Sequence, residues 1–173
     1  MVHGCCAALV MCCASWFYVF CASSTSCMCS WLIKCWCLIT AAETFIVVMN
    51  NTNRNWNILN WNIRGMNSED KWLAIKQKIE ESDCSILCLQ ETKRESFDAA
   101  YIKNFCPNRI NKFAFLPSVG ASRGLLVAWN GSQFTGEVIA QNRFSLSIQF
   151  TSLLSNQSWI LTNTYGPCDP QDK

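Results

Sequence analysis

The tightest constraint on the fold is an apolar run, an amphipathic helix and a second apolar run packed into residues 56–90. Residues 56–63 (WNILNWNI) are rich in the aromatic and branched side chains that suit a buried strand, and Arg64-Gly65 ends the run. Asn67-Ser68-Glu69-Asp70 supplies a capping residue followed by acids in a first turn, and Trp72, Ile75 and Ile79 recur at helical spacing. This pattern predicts a helix over 69–82. Residues 85–90 (SILCLQ) are short and almost continuously apolar, as in a strand covered on both faces. Strand, helix, strand in this order describes a crossover unit with parallel or mixed pairing.

Beyond Gln90 the polar stretch 91–95 (ETKRE) leaves the second strand, and a short helix is expected over 96–104, before Cys106-Pro107. Five apolar runs come next, at 113–116, 124–129 (GLLVAW), 133–139, 144–150 and 158–164, separated by turn-rich pieces such as Asn130-Gly131-Ser132. They read as closely spaced strands without helices between them. The expected class is α/β, with the later half of the chain an antiparallel meander.

The amino-terminal residues differ in kind. Nine of the 13 cysteines lie in the first 37 residues, and Lys34 and Glu43 are the only charges before Met49. The composition divides the chain into a Cys-rich apolar segment, 1–50, and a globular part, 51–173. Residues 5–48 contain two runs approaching the length of a membrane span, so a membrane helix or pair is one reading. A signal peptide fits less well, because Met1-Val2-His3 lacks a positive residue. Cys27-Met28-Cys29 and Cys35-Trp36-Cys37 are spaced by one residue, where structural zinc sites use two to four. A disulfide scaffold is not supported by the odd cysteine count. Sequence never selected as protein is a further reading of the segment. The net charge of +2 excludes a polybasic, histone-like binder, so any phosphate contact must come from local groups.

Polar residues leave apolar strands at three places: Asn62 in WNIRG, Glu91 in LQET and Tyr165 in NTYGP. Strand carboxyl ends of open α/β sheets are where loops converge on ligands, so these three residues could share a site. Each also has a plain explanation: a turn satisfied by Asn62, a solvated loop acid at Glu91, packing at Tyr165.

The blocks 58–67 (ILNWNIRGMN), 86–93 (ILCLQETK), 120–129 (GASRGLLVAW) and 163–167 (NTYGP) stand in one order. In that order they resemble the endonuclease/exonuclease/phosphatase superfamily, in wording most like the endonuclease domain of plant LINE-like (non-LTR) retrotransposons. The resemblance spans about residues 56–167 and none of the Cys-rich start. It implies a partial four-layer α/β sandwich, deoxyribonuclease-like, with a mixed sheet carrying helices on one face. It further implies phosphodiester hydrolysis with Mg²⁺ or Mn²⁺ and DNA as the partner. By resemblance Glu91 is a metal ligand, as a hard cation requires. Asn62 orients metal or scissile phosphate, and Tyr165 hydrogen-bonds the phosphate. Lys93, Arg94 and Arg123 line either a phosphate-facing rim or a solvated face.

Beyond Tyr165 the sequence departs from that family. Neither a Gly-Asp-Phe-Asn nor a Ser-Asp-His motif occurs, Asp169 and Asp172 stand in no such context, and the only histidine is His3. Arg64 stands where many relatives have an acid. Weak or absent hydrolysis is therefore expected, along with an apolar sheet face left uncovered. The alternatives are a non-catalytic, membrane-tethered interaction protein or a degenerate retroelement fragment. A nuclear location goes with an active retroelement enzyme, and a membrane location with insertion of residues 5–48.

Overall fold

The computed structural model describes residues 7–12, 18–21, 44–51, 54–119 and 122–165, with side chains over 56–119 and 124–165. The elements run β1 (Ala7–Cys12), β2 (Tyr18–Cys21), β3 (Thr44–Asn51), β4 (Arg54–Asn62), α1 (Glu69–Ser82), β5 (Ile86–Gln90), α2 (Ala99–Ile102), β6 (Ile110–Val119), β7 (Ser122–Asn130), β8 (Phe134–Asn142), β9 (Ser145–Ser152) and β10 (Ser158–Thr164).

The crossover unit forms as its pattern predicts. Strands β4 and β5 pair in parallel, with Asn62 opposite Gln90, and α1 connects them. Ser68 sits in extended conformation ahead of α1 and Glu69 and Asp70 occupy its first turn, where acids favour the helix dipole. The Ser68 hydroxyl makes no capping bond. Ile75 and Ile79 are fully buried against Leu59, Leu87, Leu89 and Leu126. Asp83 ends the helix in left-handed conformation, its N–H donating to the Glu80 carbonyl.

The chain then builds two sheets, in the orders β3-β4-β5-β7-β6 and β2-β1-β10-β9-β8. The expected antiparallel meander is found in two parts: β6 and β7 pair antiparallel in the first sheet, β8, β9 and β10 in the second, and the chain crosses between β7 and β8. The two sheets bury their facing sides on each other. Ile58, Ile86, Cys88, Val127 and Trp129 of the first meet Phe134, Leu146, Ile148, Phe150, Trp159 and Leu161 of the second. Phe150 stacks on Trp159 with ring centroids 5.0 Å apart, and Trp129 meets Phe150 edge-on. Burying each large side chain stabilises the fold by roughly 1.5–3 kcal/mol before entropy is counted.

The uncovered apolar face expected from the sequence is also corrected. Strands β9 and β10 alternate buried with half-buried residues. The half-buried positions are Ser145, Ser147, Gln149, Thr151, Ser158, Ile160, Thr162 and Thr164. Hydroxyls pair across the strands on this side, Ser147 with Thr162 at 2.9 Å and Thr151 with Ser158 at 2.8 Å. The face turned away from the core is therefore mostly polar, and hydrophobic burial is satisfied between the two sheets.

The Cys-rich start also differs from a helical span where it is described. Ala7–Cys12 pairs in parallel with β10, Tyr18–Cys21 pairs with β1, and Thr44–Asn51 pairs with β4, so these segments are strands of the two sheets, β2 and β3 at their edges. The expected boundary at residue 50/51 falls inside β3. The other positions of residues 5–48, including the closely spaced cysteine pairs, lie outside the described residues, as do Asp169 and Asp172. Among the described residues no helix is long and apolar enough to cross a membrane, and no group of three or more His, Cys, Asp or Glu gathers.

Candidate functional site at the strand carboxyl ends

Parallel pairing places the ends of β4 and β5 side by side, and the site grows from that register. Asn62, the last residue of β4, donates from Nδ2 to Glu91 Oε1 at 2.7 Å. Its Oδ1 accepts the Arg64 N–H at 3.2 Å. These two partners fix the amide orientation, since the flipped amide would oppose oxygen to carboxylate and N–H to N–H. Asn62 thus turns its nitrogen toward Glu91 and holds one carboxylate oxygen of it. Asn62 is buried and Glu91 half-buried.

The loops that carry the pair are held in unusual backbone. Arg64 (φ 54°), Glu91 (φ 52°) and Lys93 (φ 54°) all lie in the left-handed region, as does Gly65 (φ 102°). Non-glycine residues there cost of order 1–3 kcal/mol each unless surrounding contacts impose them. The contacts are visible: Ile63 N–H donates to the Gln90 carbonyl at 3.0 Å, Gly65 N–H to the Glu91 carbonyl at 2.7 Å, and Thr92 N–H to the Gly124 carbonyl at 3.1 Å. Gly124 has φ +89°, and a Cβ there would stand 2.3 Å from Thr92 Oγ1. Only glycine lets β7 approach the Glu91 loop this closely.

The second sheet reaches the same end through Gln90. Its Nε2 donates to Asn163 Oδ1 at 3.1 Å and to the Thr164 carbonyl at 2.9 Å. Asn163 Nδ2 lies 3.3 Å from the Leu89 carbonyl and 3.4 Å from the Leu126 carbonyl. Tyr165 comes directly after Thr164, packs against the core between the sheets, and donates its N–H to the Phe144 carbonyl at 2.9 Å. Glu91 and Tyr165 are therefore each one residue beyond a directly bonded pair, Gln90 and Thr164. The three residues singled out in the sequence lie at one end of the sandwich.

The basic residues divide. Arg94 lays its guanidinium 3.8 Å from the centre of the Tyr101 ring, a cation–π contact on the helical side of the first sheet. Lys93 is exposed, its Cδ lying 3.5 Å from a Cβ placed on Gly65, and the Arg123 side chain lies outside the described residues.

Gln90 and Asn163 went unremarked as functional residues in the sequence. A signal was present: Trp159, Leu161 and Asn163 share the buried parity of β10, so an amide occupies a core position. As a cation site, the pair Glu91–Asn62 offers one carboxylate with one oxygen already bonded. That donor set fits Mg²⁺, which keeps several waters and needs one or two carboxylates plus substrate phosphate, and does not fit an all-protein cage.

The sequence matches no protein-family model and no curated protein. Among solved structures the fold is similar to the AP endonuclease LMAP from Leishmania major, with TM-score 0.50 and 18% identity over 67% of this chain and 41% of that one. The catalytic domain of APE2 from Xenopus laevis is a second similar structure, with TM-score 0.47 and 21% identity over 66% of this chain and 46% of that one. The chain thus spans less than half the length of either. The likeness establishes a mixed α/β fold of the deoxyribonuclease-like type.

Proposed function

We propose that the chain is a metal-assisted phosphodiester hydrolase of nuclease type with DNA as substrate, weak in turnover. The observation that carries the reading is the 2.7 Å bond from Asn62 to Glu91 at adjacent parallel strand ends, held on left-handed backbone and set beside Tyr165. Support for DNA comes from the similar solved structure from Leishmania major, whose name describes an AP endonuclease. The finer reading, a LINE-like retroelement endonuclease, rests on the four ordered sequence blocks.

Each residue has a role that its geometry suits. Glu91 would hold Mg²⁺ or Mn²⁺, and Asn62 fixes the carboxylate by bonding one oxygen, which would leave the other available to a cation. A bound cation would neutralise charge developing on the phosphate oxygens. The Tyr165 hydroxyl donates to a phosphate oxygen, steadying the substrate at the junction of the two sheets. Lys93 adds positive charge at the loop rim. Weak turnover is expected from the small set of groups at the site: among the described residues no group of three or more His, Cys, Asp or Glu gathers, and the chain's only histidine is His3. Groups that orient water and protonate a leaving group act as a unit, so a site built from few of them turns over orders of magnitude more slowly.

A supercoiled-plasmid nicking assay with Mn²⁺ or Mg²⁺ tests the proposal. Slow nicking that chelation stops and Glu91→Gln abolishes is the expected result. Nicking indifferent to Glu91, or none at high enzyme concentration, overturns it.

A further inference from the structure

We propose that the buried amide pair Gln90–Asn163 is the positioning element of the site, fixing Glu91 and Tyr165 relative to each other across the two sheets. This role rests on the hydrolase reading of the site and adds the device that assembles it.

The two groups leave different sheets, and apolar packing alone does not set their registration. Side chains between the sheets interdigitate without direction, so small slips along the strands cost little until a directional contact forbids them. The Gln90–Asn163 pair is such a contact. Gln90 Nε2 bonds both the Asn163 side chain and the Thr164 carbonyl. Asn163 in turn reaches the carbonyls of Leu89 and Leu126. One fully buried amide thereby ties β10 to both β5 and β7, directly beneath Glu91 and Tyr165.

Burial of these polar groups is itself informative. An amide at a core position of β10 pays desolvation that a leucine would avoid, so stability alone does not call for it. Gln90 Oε1 is also buried without a partner, a further cost at the same place. What the pair supplies in return is geometry: the residue after Gln90 is Glu91, and the residue after Thr164 is Tyr165.

The test uses the full chain carrying Asn163→Leu, which keeps the number and branching of side-chain heavy atoms and removes the amide. The backbone amide NMR signals of Glu91 and Tyr165 should move, while those of Ile75 and Ile79 in α1 stay. Plasmid nicking with Mn²⁺ should fall about tenfold or more, the scale on which loss of a supporting partner acts. The fall should lie in kcat rather than KM, and Tyr165→Phe should add nothing further in that background. Gln90→Met should reproduce the result, and it decides the matter if Asn163→Leu does not fold. Unmoved Glu91 and Tyr165 signals in a folded variant overturn the inference, as does full additivity with Tyr165→Phe. Absence of nicking by the unaltered chain overturns the hydrolase reading instead, and the NMR signals still decide the positioning role.

Discussion

The two ends of the parallel pair β4–β5 are built from similar polar residues to opposite effect. At the amino end, polar side chains close off backbone. Asn57 Nδ2 donates to the Ser82 carbonyl at 2.8 Å and Arg109 to the Ile79 carbonyl at 3.3 Å, so both satisfy the last turn of α1. A cavity of about 230 Å³ remains there, lined by Asn57, Asp83, Arg109 and Gln133 among others. Asp83 is left-handed because a helix ends on it. At the carboxyl end, Asn62, Gln90 and Asn163 bond side chains and carbonyls from other elements, and the left-handed Arg64, Glu91 and Lys93 cap no helix. Strain explained by a helix terminus is structural, whereas strain clustered around one carboxylate supports placing the proposed function at that end.

Substitutions can break this comparison if it is wrong. The largest expected effect is that of Glu91→Gln, which should lower metal-dependent nicking by about 100-fold or more while leaving the thermal midpoint nearly unchanged, read by plasmid assay and calorimetry. Gly124→Ala comes next. A left-handed alanine pressed against Thr92 should destabilise the chain by about 2–3 kcal/mol in urea titration and distort the Glu91 loop.

Alkaline unfolding sharpens the contrast between core and site. Burial pushes the thiols of Cys84, Cys88 and Cys106 above their ordinary 9.0. In the unfolded chain these thiols ionise near their ordinary value, so between that value and the folded one the unfolded state binds fewer protons. Stability is therefore unaffected well below pH 9 and falls as pH rises past it, by up to about 1.4 kcal/mol per unit for each thiol. Urea midpoints measured from pH 7 to 10.5 should fall at the alkaline end, and less steeply in Cys88→Ala. The smallest effect belongs to the amino end. Arg109→Ala or Asn57→Ala should each cost about 1 kcal/mol of stability and leave nicking unchanged. A selective loss of nicking in either variant would erase the distinction between the ends.

Local pattern was legible where local forces decide. Helix α1 occupies Glu69–Ser82 and β10 occupies Ser158–Thr164, as the spacing of their apolar residues predicts. Ser68 stands at the helix start, although its hydroxyl makes no cap bond there. Strand β6 extends well beyond the expected 113–116, to Ile110–Val119, because pairing along β7 carries it through polar residues and Pro117. Asn62 and Glu91 were visible as strand exits, but the direction of the Asn62 amide depends on the Arg64 N–H and the Glu91 carboxylate together.

The sequence by itself determined the crossover unit, the extent of β10, and the three residues that end apolar strands. Those features arise from side-chain period and turn chemistry, which act over a few residues. Only the tertiary structure decided that the later strands divide between two sheets, that their facing sides cover each other, and that Gln90 meets Asn163 73 positions away in the chain. Sheet partnership is settled by burial and directional bonds between distant segments. No local pattern carries the address of the partner.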